Sequence, residues 1–269
     1  MEEAFSGSPV SFLPSYRTPP INEVVCGVRF EPLEGFTIPH FGVFWSLVRD
    51  RYPIAQHAPP LAAPGGKPQY FDPASQLPLP RVWLIAAADN QVLQIFPDGF
   101  FFNWRQRGDV YPRYSRVIEN FEVALKSFED YLSTEKLGPL RFIEWELTYI
   151  NNVPKGEAWE TPADFGKLFT EFVWHSRGGR FLPSPRSLAW QCTFPLPEKQ
   201  GNLTCNLSMG RRRDDNVEIL VFQLSSKGMG ADSTHKGIRP WVDLAHEWIV
   251  RAFEDLTTTD AQVSLWGRE

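Results

Sequence analysis

With 269 residues, 42% of them hydrophobic and 14% aromatic, the chain carries material for a large core, which excludes a body left disordered for want of apolar surface. A net charge of −5 argues against bulk attraction to phosphate backbones, although a local basic face is compatible with it. No apolar run reaches the roughly 18 residues of a membrane span, the acidic start Met1-Glu2-Glu3 lacks the pattern of a signal peptide, and three widely spaced cysteines make no disulfide framework. The expectation is a cytoplasmic protein with reduced thiols and no membrane partner.

In chain order, residues 1–20 are rich in Ser and Pro and read as a loosely held arm. From Ile21 to Phe30, Val24, Cys26, Val28 and Phe30 alternate with more polar neighbours, which predicts a strand with one buried face. Pro39 then opens a helix whose Phe41, Phe44, Trp45, Val48 and Tyr52 lie at helical spacing. Pro53 to Pro80 contains many prolines and Gly65-Gly66 and reads as one long connection without regular structure, either a variable loop or a lid or partner-binding segment. Strands are expected over 81–88, 91–96 and 100–106, joined by the turns Asp89-Asn90 and Pro97-Asp98-Gly99. Pro112 opens a helix carrying Val117, Phe121, Leu125, Phe128 and Leu132 on one side.

The second half runs in similar order. A strand is expected over 140–151, with Ile143, Trp145, Leu147 and Tyr149 facing one way and Glu144, Glu146 and Thr148 the other. Thr161-Pro162-Ala163-Asp164 gives a capping-box start to a helix bearing Phe165, Leu168, Phe169, Phe172 and Val173. Strands over 186–194, 202–210 and 217–226 follow, and then a helix from Pro240 with Trp241, Leu244, Ala245, Trp248 and Ala252 inward. Leu265-Trp266 is expected to dock on the body.

Two short echoes join the halves. Residues 121–134 resemble 246–259, both containing Phe-Glu-Asp, at an offset of 125, and His40–Trp45 resembles Asp164–Phe169 at an offset of 124. The order β-α-β-β-β-α twice over predicts an α+β protein, with a first half over 21–138 and a second over 139–269. Fused about a pseudo-twofold axis, the halves would share a largely antiparallel curved sheet with helices on one face. TATA-binding-protein-like saddles offer an analogy of topology alone.

The run Pro19-Pro20-Ile21-Asn22-Glu23-Val24-Val25-Cys26-Gly27-Val28-Arg29-Phe30-Glu31-Pro32-Leu33, together with Tyr149-Ile150-Asn151, resembles a sporadically distributed bacterial family of about this length that has no settled function. Asn152 stands where that family more usually has Arg. The resemblance implies a setting among defence or toxin–antitoxin genes and implies no activity.

Candidate functional residues fall in the second half. Gln191, Thr193, Asn202, Thr204, Asn206 and Ser208 share the outward face of a predicted hairpin, a face of amides and hydroxyls with almost no charge. Exposed strands are more often guarded by Lys or Glu, so such a face suits contact with a protein partner, a second copy or nucleic-acid bases; a plain solvated face is the alternative. Cys192 and Cys205 would meet on the inner face as small core residues. Arg211, Arg212, Arg213, Arg105, Arg107 and Lys227 are candidates for contact with an anion or an acidic partner. The Gly-rich run 227–237 lacks phosphate-loop spacing, His246-Glu247 lacks the second His of a zinc motif, and no Gly-x-Ser-x-Gly elbow occurs. No catalytic residue, metal ligand or cofactor is expected. The reading is a non-enzymatic binding or regulatory protein acting through its sheet face and Pro-rich loop; the alternatives are a nucleic-acid-binding saddle and an enzyme of unknown class.

Overall fold

A computed structural model describes residues 13–59, 70–72, 75–108, 110–172, 181–183, 185–212 and 214–269. Nine strands form one antiparallel sheet: β1 (Ile21–Phe30), β2 (Ile54–Ala58), β3 (Arg81–Ile85), β4 (Gln91–Phe96), β5 (Gly99–Arg105), β6 (Phe142–Pro154), β7 (Ala189–Pro195), β8 (Gly201–Arg211) and β9 (Glu218–Gly228). Their spatial order is β2-β3-β4-β5-β1-β6-β9-β8-β7, so the sheet is curved and unclosed, with β2 and β7 at its edges. Among the described residues four α-helices accompany it: α1 (Ile38–Val48), α2 (Arg113–Thr134), α3 (His235–Leu256) and α4 (Thr259–Ser264). The α+β expectation holds. None of the helices is long and apolar enough to cross a membrane, among the described residues.

Strand alternation decides which face is buried. Val24, Cys26 and Val28 of β1 lie opposite Trp104, Phe102 and Phe100 of β5 on one side and Tyr149, Leu147 and Trp145 of β6 on the other. These side chains join the helices in one hydrophobic core. Phe128 of α2 lies 5.0 Å from Phe100 and 5.2 Å from Phe44 of α1, ring centre to ring centre. On the other side Trp241 of α3 packs edge-on to Trp145 at 5.9 Å, and Phe253 lies 4.9 Å from Trp266. All four helices place buried side chains in this core, on this face.

Close backbone approach sets two glycines on the other face. The Phe101 ring covers its cross-strand neighbour Gly27, where a Cβ would come within 2.1 Å of it, and the Phe96 ring covers Gly99 at 2.2 Å. Each ring buries its surface over a residue that has no side chain to offer.

Four expectations are corrected. First, the Pro-rich stretch is not wholly irregular: Ile54-Ala-Gln-His-Ala, free of proline between Pro53 and Pro59, pairs as edge strand β2 with β3. An edge position tolerates the flanking prolines, whose missing N–H groups face no ladder. Second, the helix expected after Thr161 is a six-residue 3₁₀ turn, Pro162–Lys167. The capping box forms, with Asp164 accepting from the Thr161 N–H at 3.0 Å. The chain then leaves the helix because its polar groups serve α3: Thr170 N–H and hydroxyl donate to the carbonyls of Leu256 and Asp255. Val173 lies outside the described residues.

Third, α3 starts at His235 and runs through Pro240, which forfeits a single ladder bond near the helix start. Its buried stripe is Ile238, Trp241, Val242, Ala245, Ile249, Phe253 and Leu256, with Leu244 and Trp248 at the flanks. Fourth, the arm is tethered from its described part onward. Tyr16 bridges Arg268, and Glu269 N–H donates to the Ser15 carbonyl at 2.9 Å. Residues 1–12 lie outside the described residues.

Candidate recognition face and a cleft behind it

The face turned away from the helices carries the predicted polar set. β7 and β8 pair with Gln191 opposite Asn206, Thr193 opposite Thr204 and Ala189 opposite Ser208, and β9 continues the rows with Gln223, Ser225 and Val221. Thr193 and Thr204 hydroxyls meet at 3.1 Å, and Thr148 of β6 meets Ser225 at 2.6 Å. Gln191, Asn202, Asn206, Ser208 and Gln223 hold no side-chain hydrogen bond among the described residues. Gln191, Thr193 and Asn202 are exposed, while Thr204, Asn206 and Ser208 are half-buried by their neighbours.

Much of the first half of the same face is tied together internally, although the Nε of Arg81 and one carboxylate oxygen of Asp98 are buried without a hydrogen-bond partner among the described residues. Trp83 donates to Gln94, Gln94 to Asn103 and Asn103 to Glu23, at 3.0, 2.8 and 2.6 Å, a relay across β3, β4, β5 and β1. Arg105 closes it on Glu23 at 3.4 Å and reaches Asp89 at 3.2 Å; Arg107 also holds Asp89. The guanidinium groups of Arg81 and Arg105 lie over Trp83 at 5.4 and 5.3 Å. At the end of this region Tyr70, from the end of the Pro-rich stretch, donates to Asp98, which also pairs with Arg29.

The candidate cations are dispersed rather than gathered. Arg211 holds Glu218 at 2.9 Å at one end of β9, Lys227 holds Glu146 at 2.8 Å at the other, and Arg212 pairs with Asp215. Arg213 lies outside the described residues. Cys192 and Cys205 are direct cross-strand partners on the inner side, as the hairpin spacing predicts, and both are free thiols. Burial raises the pKa of each, which disfavours thiolate chemistry.

A second feature is absent from the sequence reading. Behind the seam of β1 and β6, between the start of α2 and the middle of α3, lies a cleft of about 370 Å³ whose walls include Tyr16, Tyr111, Tyr114, Tyr149, His246 and Phe253. Tyr114 and His246 stack with ring centres 3.8 Å apart and planes 11° from parallel. Tyr111 and Tyr149 share a hydroxyl–hydroxyl hydrogen bond of 3.0 Å, and Tyr114 donates to Asp243. Burial lowers the His246 pKa to about 4, against the opposing pull of Asp243 and Glu247, so the ring is neutral near pH 7. Burial pushes Tyr111 up to about 12 and also raises Tyr114 and Tyr149, keeping all three protonated. Arg113 sits at the cleft with φ of 72° and donates to the Tyr16 carbonyl at 3.0 Å.

These residues come from four distant parts of the chain, which is why spacing did not reveal them. The local signals were the two runs that carry the family resemblance: Pro19 and Ile21 of the first and Tyr149 and Asn151 of the second line the cleft. No protein-family model matches this chain, and no curated protein matches it either, so its chemistry is read from its own residues.

Proposed function

We propose that the protein is a non-enzymatic binding or regulatory protein that recognises a protein partner, or a second copy of itself, through the face of β7, β8 and β9 turned away from the described helices. One observation carries this reading: Gln191, Asn202, Asn206, Ser208 and Gln223 stand in register on that face with their hydrogen-bonding groups unspent within the described chain. Amides at an interface give directional contacts without the desolvation cost of charges. Three cations on the same sheet face, Arg29, Arg105 and Lys227, are each held by a carboxylate, and Arg81 lies over Trp83, which favours a protein over a phosphate backbone. The described end of the Pro-rich stretch borders the first half of this face through Tyr70. The family resemblance extends the reading to a bacterial defence or toxin–antitoxin setting.

The finer architecture belongs to the same reading. From the β1–β6 seam outward the order is β1-β5-β4-β3 on one side and β6-β9-β8-β7 on the other, which suits two copies of one unit in a saddle-like arrangement. Buried positions 124 apart support it: Val117 and Trp241, Ile118 and Val242, Leu125 and Ile249, Leu132 and Leu256, Phe41 and Phe165, Phe44 and Leu168. The Phe-Glu-Asp echo at 125 is one residue out of step with this stripe.

The test replaces Thr204 and Asn206 together with Lys. The expected result is loss of a stoichiometric protein partner, or of self-association in sedimentation, with an unchanged melting curve. Partner retention by the double variant sinks the reading. Captured DNA or RNA that is released steeply by salt turns it to the nucleic-acid alternative.

A further inference from the structure

The cleft between α2 and α3 lies on the opposite side of the sheet from the proposed recognition face, and that function makes no use of it. Its volume of about 370 Å³ is more than twice the roughly 150 Å³ of a dry cavity that admits a single benzene, so a two-ring ligand fits. Tyrosine rings, Phe253, Leu224, Ile249 and Val250 give it apolar walls. Such a cleft with a few polar groups is the usual form of a small-molecule site.

Aromatic walls accept flat rings, and they also accept cations through their π faces. Charge decides between the two. Among the described residues no Asp or Glu lines the cleft, and the formal charge there is the guanidinium of Arg113. That group donates to the Tyr16 carbonyl and makes no ion pair among the described residues. Asp243, just outside, is already engaged by the Tyr114 hydroxyl and by Arg239. Among the described residues a cationic ligand would find no carboxylate in the walls and would meet Arg113, whereas an anion would meet a guanidinium that holds no carboxylate. Arg113 also holds a positive φ of 72°, a conformation that L side chains disfavour and that recurs where a ligand is clamped. Between Tyr111 and Tyr149 one hydroxyl proton is used in their mutual bond, leaving the other for a further acceptor.

We propose that this cleft binds a small aromatic monoanion, an aryl or arylalkyl carboxylate, with its rings among the tyrosines and its carboxylate against Arg113. Guanidinium and carboxylate are matched in shape as well as charge. The ligand would bridge the start of α2 and the middle of α3, one helix from each half of the sheet.

Calorimetric titration of the full chain with naphthylacetate, naphthylacetamide and naphthylmethylammonium tests this. The acid binds best and the amine worst. Arg113→Gln weakens the acid about tenfold, to the level of the amide, and leaves the amide unchanged. Val250→Trp, which fills the cleft from α3, abolishes binding of the acid and amide alike. If that variant does not fold, the comparison of acid with amide on Arg113→Gln decides alone. An acid that does not bind, that binds no better than the amide, or that binds Arg113→Gln as tightly as the parent overturns the proposal; so does tightest binding of the amine.

Discussion

Burial, more than any neighbouring charge, governs His246. Asp243 and Glu247 pull its pKa upward, yet enclosure against Tyr114 and Tyr149 holds it at about 4, against 6.5 for a free imidazole. The folded chain therefore keeps the ring neutral, while the unfolded chain takes up a proton near pH 6.5. The sign follows: the stability is fully present above about pH 6.5 and drains away as pH falls toward 4, by at most about 3 kcal/mol. The lowered carboxylate Asp215, at about 2, acts below this window. His246→Phe keeps the ring stack and removes the titration. Urea midpoints at pH 7 and pH 4.5 should then fall less for the variant than for the parent; parallel losses would refute the assignment.

Among the elements, those whose pattern is long were legible. The alternation of β1, of β8 and of β6 from Trp145 onward matches the inward faces. Ile143, expected on the same side as Trp145, instead lies exposed near the start of β6, where the strand reaches past the core. The β7–β8 turn spacing placed Cys192 opposite Cys205 and Thr193 opposite Thr204. Elements whose boundaries depend on distant partners were not. Strand β2 is five residues with four of them exposed, so it has no buried face to advertise. The turn after Thr161 announced its start through Asp164, but its end is set by hydrogen bonds to α3, nearly ninety positions away. Pro240 read as a helix start, because proline favours that place; the structure puts it inside α3, where the loss is one bond to the Lys236 carbonyl. Pro240→Ala restores the donor at an exposed position and should stabilise the protein by about 1 kcal/mol, less than the roughly 3 kcal/mol of a mid-helix proline. A thermal melt that moves down rather than up would count against this account of α3.

At the scale of the whole molecule, one core runs unbroken across the β1–β6 seam, with Trp145 in full burial at its centre. Among the described residues the buried side chains on the two sides of that seam form one cluster. Unfolding is therefore expected as a single transition, seen alike by tryptophan fluorescence and by far-ultraviolet dichroism. Trp145→Ala should cost about 3–5 kcal/mol and lower that one transition without splitting it. Two transitions in the parent protein would mean that the seam is a joint between separate domains. The cleft belongs to this scale too: its walls exist only once α2, α3 and the seam are together, so no stretch of sequence could display it.

The same seam has a consequence for how the chain is made. Strand β1 leaves the ribosome before either neighbour and can pair with β5 once residues 99–105 follow, but its other neighbour, β6, ends at Pro154. At roughly 5–20 residues per second, synthesis leaves one side of β1 without its partner for some seconds. During that interval the nascent first half presents a strand edge whose Val24, Cys26 and Val28 already point into a half-built interior. Ribosomes crowded on one message would bring several such edges close together, and the interval before residue 154 is when a newborn chain most needs shelter from its neighbours.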